Sequence, residues 1–123
     1  MVDGLGNPLR FILSGSNRND ICLAKELLEE FDLNGKLILA DKGYDSKKFT
    51  DRIEKRGGIV VIPSRRTNKI QRDIDLYTYN ECHLVENLFL NLKNNRRFAT
   101  RYEKSSLLFQ CVTFLACILV WLI

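Results

Sequence analysis

The chain is short of the residues that most easily disclose a chemistry. Among 123 residues it has one histidine, one methionine, one tryptophan and two prolines. A single histidine excludes a histidine-rich metal centre. Its four cysteines (Cys22, Cys82, Cys111, Cys117) form no C-x-x-C pair, which argues against a zinc ribbon or a dithiol redox site and for reduced thiols in a cytoplasmic protein. No targeting segment is apparent after Met1, where the sequence runs straight into the glycine-rich VDGLGN. Nothing is biased enough for disorder: 46% of residues are hydrophobic and 28% charged. A chain of this length has room for one small domain.

What is present is unevenly placed. The net charge is +4, and residues 65–104 hold all of that excess. Nine basic residues fall there (Arg65, Arg66, Lys69, Arg72, Lys93, Arg96, Arg97, Arg101, Lys104) against five acids, and the remainder balances at ten against ten. Such a segment suits a polyanion, although a solvated charged face has the same composition. Residues 107–123, LLFQCVTFLACILVWLI, are nearly all apolar. A membrane span needs about 20 such residues, so a buried terminal helix and a tail anchor are both open, the first favoured.

The pattern along the chain predicts a strand at about 9–13 and a helix from Asp20, which is placed to cap it, with apolar positions Ile21, Leu23, Ala24, Leu27, Leu28 and Phe31. A short strand buried on both faces follows at 37–41 (LILAD). The next helix starts near Asp45 or Ser46, buries Phe49 and Ile53, and ends at Gly57-Gly58. A second buried strand runs over 59–63, stopped by Pro63. This alternation argues for an α/β layer with parallel pairing in its second half. A basic loop (64–76) then leads into a long helix beginning near residue 79. At about 100° per residue, Tyr79, Glu86, Lys93 and Arg97 fall on one face of that helix, opposite Leu84, Val85, Leu88 and Leu92. Asp45 is expected to be a helix cap, and His83 a packing or hydrogen-bonding residue.

Two segments in order, LADKGYDS (39–46) and YNECHLVENLFLNLKNNRRFATRYEK (79–104), resemble DDE-type bacterial insertion-sequence transposases with the Tyr-Arg-Glu-Lys signature. Tyr79, Glu86 and Lys93 stand in their places of that signature. The stretches NPLRFILSGSNRND and VVIPSRR are similar to connecting blocks of the same family, so the resemblance covers essentially the whole chain. It implies the C-terminal portion of a catalytic domain with a partial RNase H-like fold, an α/β arrangement with a mixed sheet. It implies two aspartates and a glutamate around two Mg²⁺ or Mn²⁺ ions, which take oxygen ligands and act on phosphodiesters. Asp41 matches the second carboxylate and Glu86 the third, both catalytic and metal-binding. Lys93 and Tyr79 match DNA contacts, and Arg96, Arg97, Arg101 and Lys104 would hold DNA phosphates. The resemblance also favours the buried reading of the apolar tail over a membrane one.

The sequence departs from the family in two places. Position 82, arginine in the signature, is Cys82, which lacks a planar charged fork for phosphate or carboxylate. In the family the first aspartate sits on a first strand, with two strands between it and the second. Only one strand is expected upstream of LILAD, and Asp3 sits at a turn before Gly4, so no first carboxylate is assigned. The implied partners are DNA, and an N-terminal transposase fragment or a homo-oligomer. The alternative function is a catalytically dead DNA-binding regulator of transposition; a small tail-anchored membrane protein is a third.

Overall fold

The computed structural model describes residues 1–15, 17–94 and 105–122. The chain divides into two compact units, one made of residues 16–82 and the other of residues 1–15 with 83–123.

The first unit is a strand–helix–strand layer preceded by a helix. Helix α1 (Asp20–Leu28) is capped by Asn19, whose side chain accepts from the Ile21 N–H at 2.9 Å. Asp20, expected to be the cap, is instead the first helical residue. It still lies where a negative charge favours the helix dipole. Strands β1 (Leu37–Leu39) and β2 (Ile59–Val61) pair in parallel, with Leu37 opposite Ile59 and Leu39 opposite Val61. Between them lie a 3₁₀ turn (Lys42–Tyr44) and helix α2 (Lys47–Lys55). The parallel pairing is as expected. Burial on both faces is not: Leu37 and Ile59 are 50% and 52% exposed, so this end of the pair has no cover.

The core of this unit is Leu23, Leu28, Leu33, Phe49, Ile53, Val61 and Ile62, with Ile53 and Ile62 fully enclosed. Phe49 and Ile53 stand four residues apart on one face of α2, which is why a helix of otherwise charged residues docks at all. Gly57, at φ 78°, turns the chain out of α2 in the left-handed conformation that a side chain would strain. The adjoining Gly58 leaves no room for a Cβ, which would lie 2.7 Å from the Ile53 side chain.

Helices α3 (Leu76–Asn80) and α4 (His83–Lys93) replace the single long helix expected from residue 79. The break falls at Glu81-Cys82, where the Glu81 and Cys82 N–H groups bond back to Thr78 and Tyr79 and close off α3. The common face predicted for Tyr79 with Glu86 and Lys93 therefore does not exist as one helical stripe. Glu86 and Lys93 do share an exposed side of α4.

In the second unit, α4 packs on α5 (Ser106–Leu122) through Leu88, Leu92 and Ala116, with Val2, Cys117 and Val120 around them. The opening residues form no strand at 9–13. A tight turn joins Val2 to Pro8 in an isolated antiparallel bridge, and the Asp3 carboxylate closes it by accepting from the Leu5 and Asn7 N–H groups. Phe11 packs against Phe114 with ring centroids 4.7 Å apart and planes tilted at 53°, and the Trp121 indole donates to the Pro8 carbonyl. Helix α5 forms as expected but only one side of it is covered; Leu107, Leu108, Phe114, Leu115, Ile118, Leu119, Trp121 and Leu122 remain exposed. Among the described residues no helix is long and apolar enough to cross a membrane.

Ile53→Ala should lower the unfolding free energy of the residue 16–82 unit by about 2–5 kcal/mol, the usual range for emptying an enclosed isoleucine site. Urea denaturation followed by circular dichroism reads this, and a cost under about 1 kcal/mol would mean that the α2 face is not the core.

Candidate functional site

The expected strand 37–41 ends at Leu39; Asp41 lies two residues further on, after Ala40, and caps the 3₁₀ turn, its Oδ1 accepting from the Gly43 N–H at 2.7 Å. The side chain is exposed, and among the described residues no other hydrogen bond engages it. One carboxylate oxygen is thus held in place while the other stays open. Capping and ligation are not alternatives here, because the cap leaves a lone-pair face for a cation.

Asp45 lies at the end of the same turn and does something the sequence did not suggest. Expected to be a helix cap, it is instead buried and collects donors from residues 65–72. Its Oδ2 accepts from the Arg65 N–H at 2.8 Å and the Asn68 amide at 2.6 Å, and its Oδ1 faces both Arg72 terminal nitrogens at 3.4 Å. Arg72 also donates to the Ile62 carbonyl, and its own N–H to the Ser64 hydroxyl. The Arg65 guanidinium returns to the Lys42 and Gly43 carbonyls, the two residues after Asp41. Parallel strands bring their C-terminal ends to one edge, so the turn after β1 and the loop after β2 meet there. That edge is where ligands gather in open α/β sheets. The only sequence signal for this network is a loop rich in arginine, asparagine, glutamine and serine placed after the second of two parallel strands.

The same geometry revises the basic count. Arg65 and Arg72 are committed to protein acceptors, which leaves Arg66 and Lys69 as the exposed cations of that loop.

Tyr79 is on α3, in the same unit as Asp41. Burial pushes its phenol above the ordinary range, and the Cys82 and Asp41 charges add to this. Tyr44 is raised likewise, first by burial and then by Asp20 and Asp41. The Asp41 carboxylate therefore sits within electrostatic reach of two phenols. Asp75 caps α3, accepting from the Tyr77 N–H at 3.0 Å and the Thr78 hydroxyl at 2.5 Å.

Glu86 lies exposed in the first turn of α4 and Lys93 exposed in its last. No ion pair or hydrogen bond to Glu86 is found among the described residues. Arg96, Arg97, Arg101 and Lys104 lie outside the described residues. Asp3, the upstream acid, has both carboxylate oxygens engaged, Oδ1 by two backbone N–H groups and Oδ2 by the Asn7 amide at 3.2 Å. Burial raises its carboxyl, and the bonds from Asn7, Leu5 and Gly6 outweigh that and hold it below the usual carboxylate range. Among the described residues no three His, Cys, Asp or Glu side chains cluster as a metal site.

An exposed aspartate thus lies just past the C-terminal end of β1 in a parallel strand pair, its turn held by the buried Asp45 network. The transposase DDE domain family model matches residues 1–121, and the chain belongs to that family. It is 32% identical to a Brucella ovis protein described as a transposase for insertion sequence element IS6501, over 99% of this chain and 94% of that one. It is 29% identical to a Burkholderia cepacia protein described as a transposase for element IS402, covering 98% of this chain and 59% of the relative. No solved structure matches.

Asp45→Ala should destabilise the residue 16–82 unit by about 3 kcal/mol, the lower end for breaking a buried pair, because Arg72 keeps some solvent contact. Asp45→Asn, which retains an acceptor, should cost less. Chemical denaturation of the two variants checks the order, and equal stabilities for Asp45→Ala and wild type would remove the network from the account.

Asp75 supplies a pH test. Its carboxyl is held below the ordinary aspartate value, chiefly by the Thr78 hydroxyl and then by the Tyr77 N–H. The folded-state value is depressed, so its contribution is fully present above the unfolded value and is lost as pH falls through the folded one. A carbon-13 titration of the Asp75 carboxyl should give a midpoint below 3.8, with α3 amide protection falling only across that titration.

Proposed function

We propose that this chain is transposase sequence of the insertion-sequence type, with an RNase H-like arrangement in which Asp41 and Glu86 are the second and third metal-binding carboxylates. The observation that carries this reading is Asp41: a carboxylate two residues past the end of β1, exposed, with one oxygen fixed by Gly43 and its turn held by the Asp45 network. The donor chemistry suits the family's ions. Mg²⁺ and Mn²⁺ take carboxylate, water and phosphate oxygens, and Asp41 and Glu86 are both exposed. Asp41 and Glu86 would hold such ions, which when bound would supply Lewis-acid activation of the attacking oxygen and charge stabilisation at the leaving one. The chain's own residues would bind and orient: Lys93 at the cleaved DNA end, Tyr79 as an aromatic or phosphate-contacting residue, and Arg96, Arg97, Arg101 and Lys104 on phosphates, without reading bases.

The first carboxylate is proposed to come from an N-terminal transposase fragment. Asp3 does not serve, since its oxygens close its own turn. A second reading, a DNA-binding regulator without catalysis, is favoured by the same turn and by Cys82, where the signature has arginine.

The test is incubation of the chain with Mg²⁺ or Mn²⁺ and DNA carrying the element's ends. The expected result is salt-sensitive DNA binding that survives Asp41→Ala and Glu86→Ala, with no strand transfer by this chain alone. Addition of a chain bearing the first aspartate should produce cleavage that either alanine variant abolishes. Cleavage indifferent to both substitutions would remove Asp41 and Glu86 from the site. Robust cleavage by the isolated chain would overturn the need for a partner.

A further inference from the structure

A shallow cleft on the first unit is lined by Lys25, Lys48, Asp51, Arg52 and Lys55. At about 100° per residue, Lys48, Arg52 and Lys55 share one face of α2, and Lys25 meets them from α1. The two helices are fixed against each other. Arg52 pairs with Glu29 at 3.0 Å, and Arg56 donates to the Leu28 and Glu29 carbonyls at 2.8 and 3.2 Å and to that of Phe31. The C-terminal carbonyls of α1 are thereby capped from α2, so the walls of the cleft are preorganised.

The charge of the cleft is not cancelled internally. Glu29 answers Arg52, but Lys25, Lys48 and Lys55 have no ion pair among the described residues, and Asp51 is the one acid in the lining. Three ammonium groups stand around a single carboxylate. Among the described residues no apolar or aromatic side chain lines the cleft, unlike the apolar centre that protein interfaces build on. A row of point charges on a rigid floor suits a polymer of evenly spaced anions.

We propose that the α1–α2 cleft binds the phosphodiester backbone of DNA, a contact surface additional to the basic residues between 65 and 104. The proposal rests on the reading of the chain as a transposase that handles DNA. Lysines placed this way hold phosphate oxygens and carry no sequence information, so the surface serves target or flanking DNA of any sequence.

The test measures DNA affinity of the full chain against salt, using a random-sequence duplex. The cleft variant Lys25→Gln/Lys55→Gln, with one change on each wall, is compared with Arg18→Gln/Lys36→Gln, which loses the same charge outside the cleft lining. Each phosphate contact contributes about 0.9 to the slope of log affinity against log salt, so the cleft variant should be shallower than wild type by about two. The control should stay within about half a unit of wild type. Matching thermal midpoints show that the exposed changes leave the fold intact. A cleft variant with the wild-type slope, or a control that loses as much, overturns the cleft alone. No salt-dependent binding by the wild-type chain overturns both the cleft and the transposase reading beneath it.

Discussion

A carboxylate enclosed as Asp45 is would cost several kcal/mol if its charge met no donors. Here an N–H, an amide and a guanidinium meet it, all from residues 20 to 27 positions further along the chain. That requirement fixes more than one side chain. The loop after β2 must lie over the turn after β1 for those donors to arrive, and the Arg65 guanidinium must then fall on the Lys42 and Gly43 carbonyls. The position of Asp41 follows from these contacts. A carboxylate just past a short, half-covered strand pair has little hydrophobic material to hold it, and polar convergence supplies the rigidity that packing does not.

The layer beneath was readable because its signals are local. Phe49 and Ile53 at helical spacing, the glycine pair at 57–58 and the apolar runs at 37–39 and 59–61 each specify an element from within a few residues, and the βαβ order then implies parallel pairing. Asp41 was legible as well, through its place in the LADKGYDS block. What escaped the sequence was non-local or conformational. Asp45 looks like any helix-capping aspartate until a second strand delivers Arg65 and Arg72 beside it. The break at Glu81-Cys82 escaped because a 3.6-residue period continues through it; nothing in the apolar pattern announces that α3 closes on its own backbone bonds. The expected strand at 9–13 failed for a comparable reason. Asp3 and the Gly6 turn fold the segment back on itself, and Phe11 finds its partner in α5.

The partly bare α5 and the exposed Leu37 and Ile59 belong together physically. In each case an element long enough to form is covered on one side only, which leaves apolar surface that a further strand or helix would normally bury. In both places the apolar surface exceeds what the described elements cover.

The division of labour among the cations sharpens what kind of association DNA would be. In residues 16–82, Arg52, Arg56, Arg65 and Arg72 all bind protein acceptors. The lysines of that unit (Lys25, Lys36, Lys42, Lys47, Lys48, Lys55, Lys69) make no ion pair among the described residues. The split follows from the side chains. A planar guanidinium satisfies several carbonyls at once and loses little entropy per bond, whereas an ammonium is a strongly hydrated point charge on a flexible stem. Four of the six arginines of that unit therefore brace the fold, while Arg18, Arg66 and the lysines are left uncommitted among the described residues. Counting basic residues along the sequence treats the two alike and places the polyanion surface in the arginine-rich segment. Counting unengaged charges moves part of it to α1 and α2, where phosphate contacts made by ammonium groups would be strong at low salt, weak at high salt, and indifferent to base sequence.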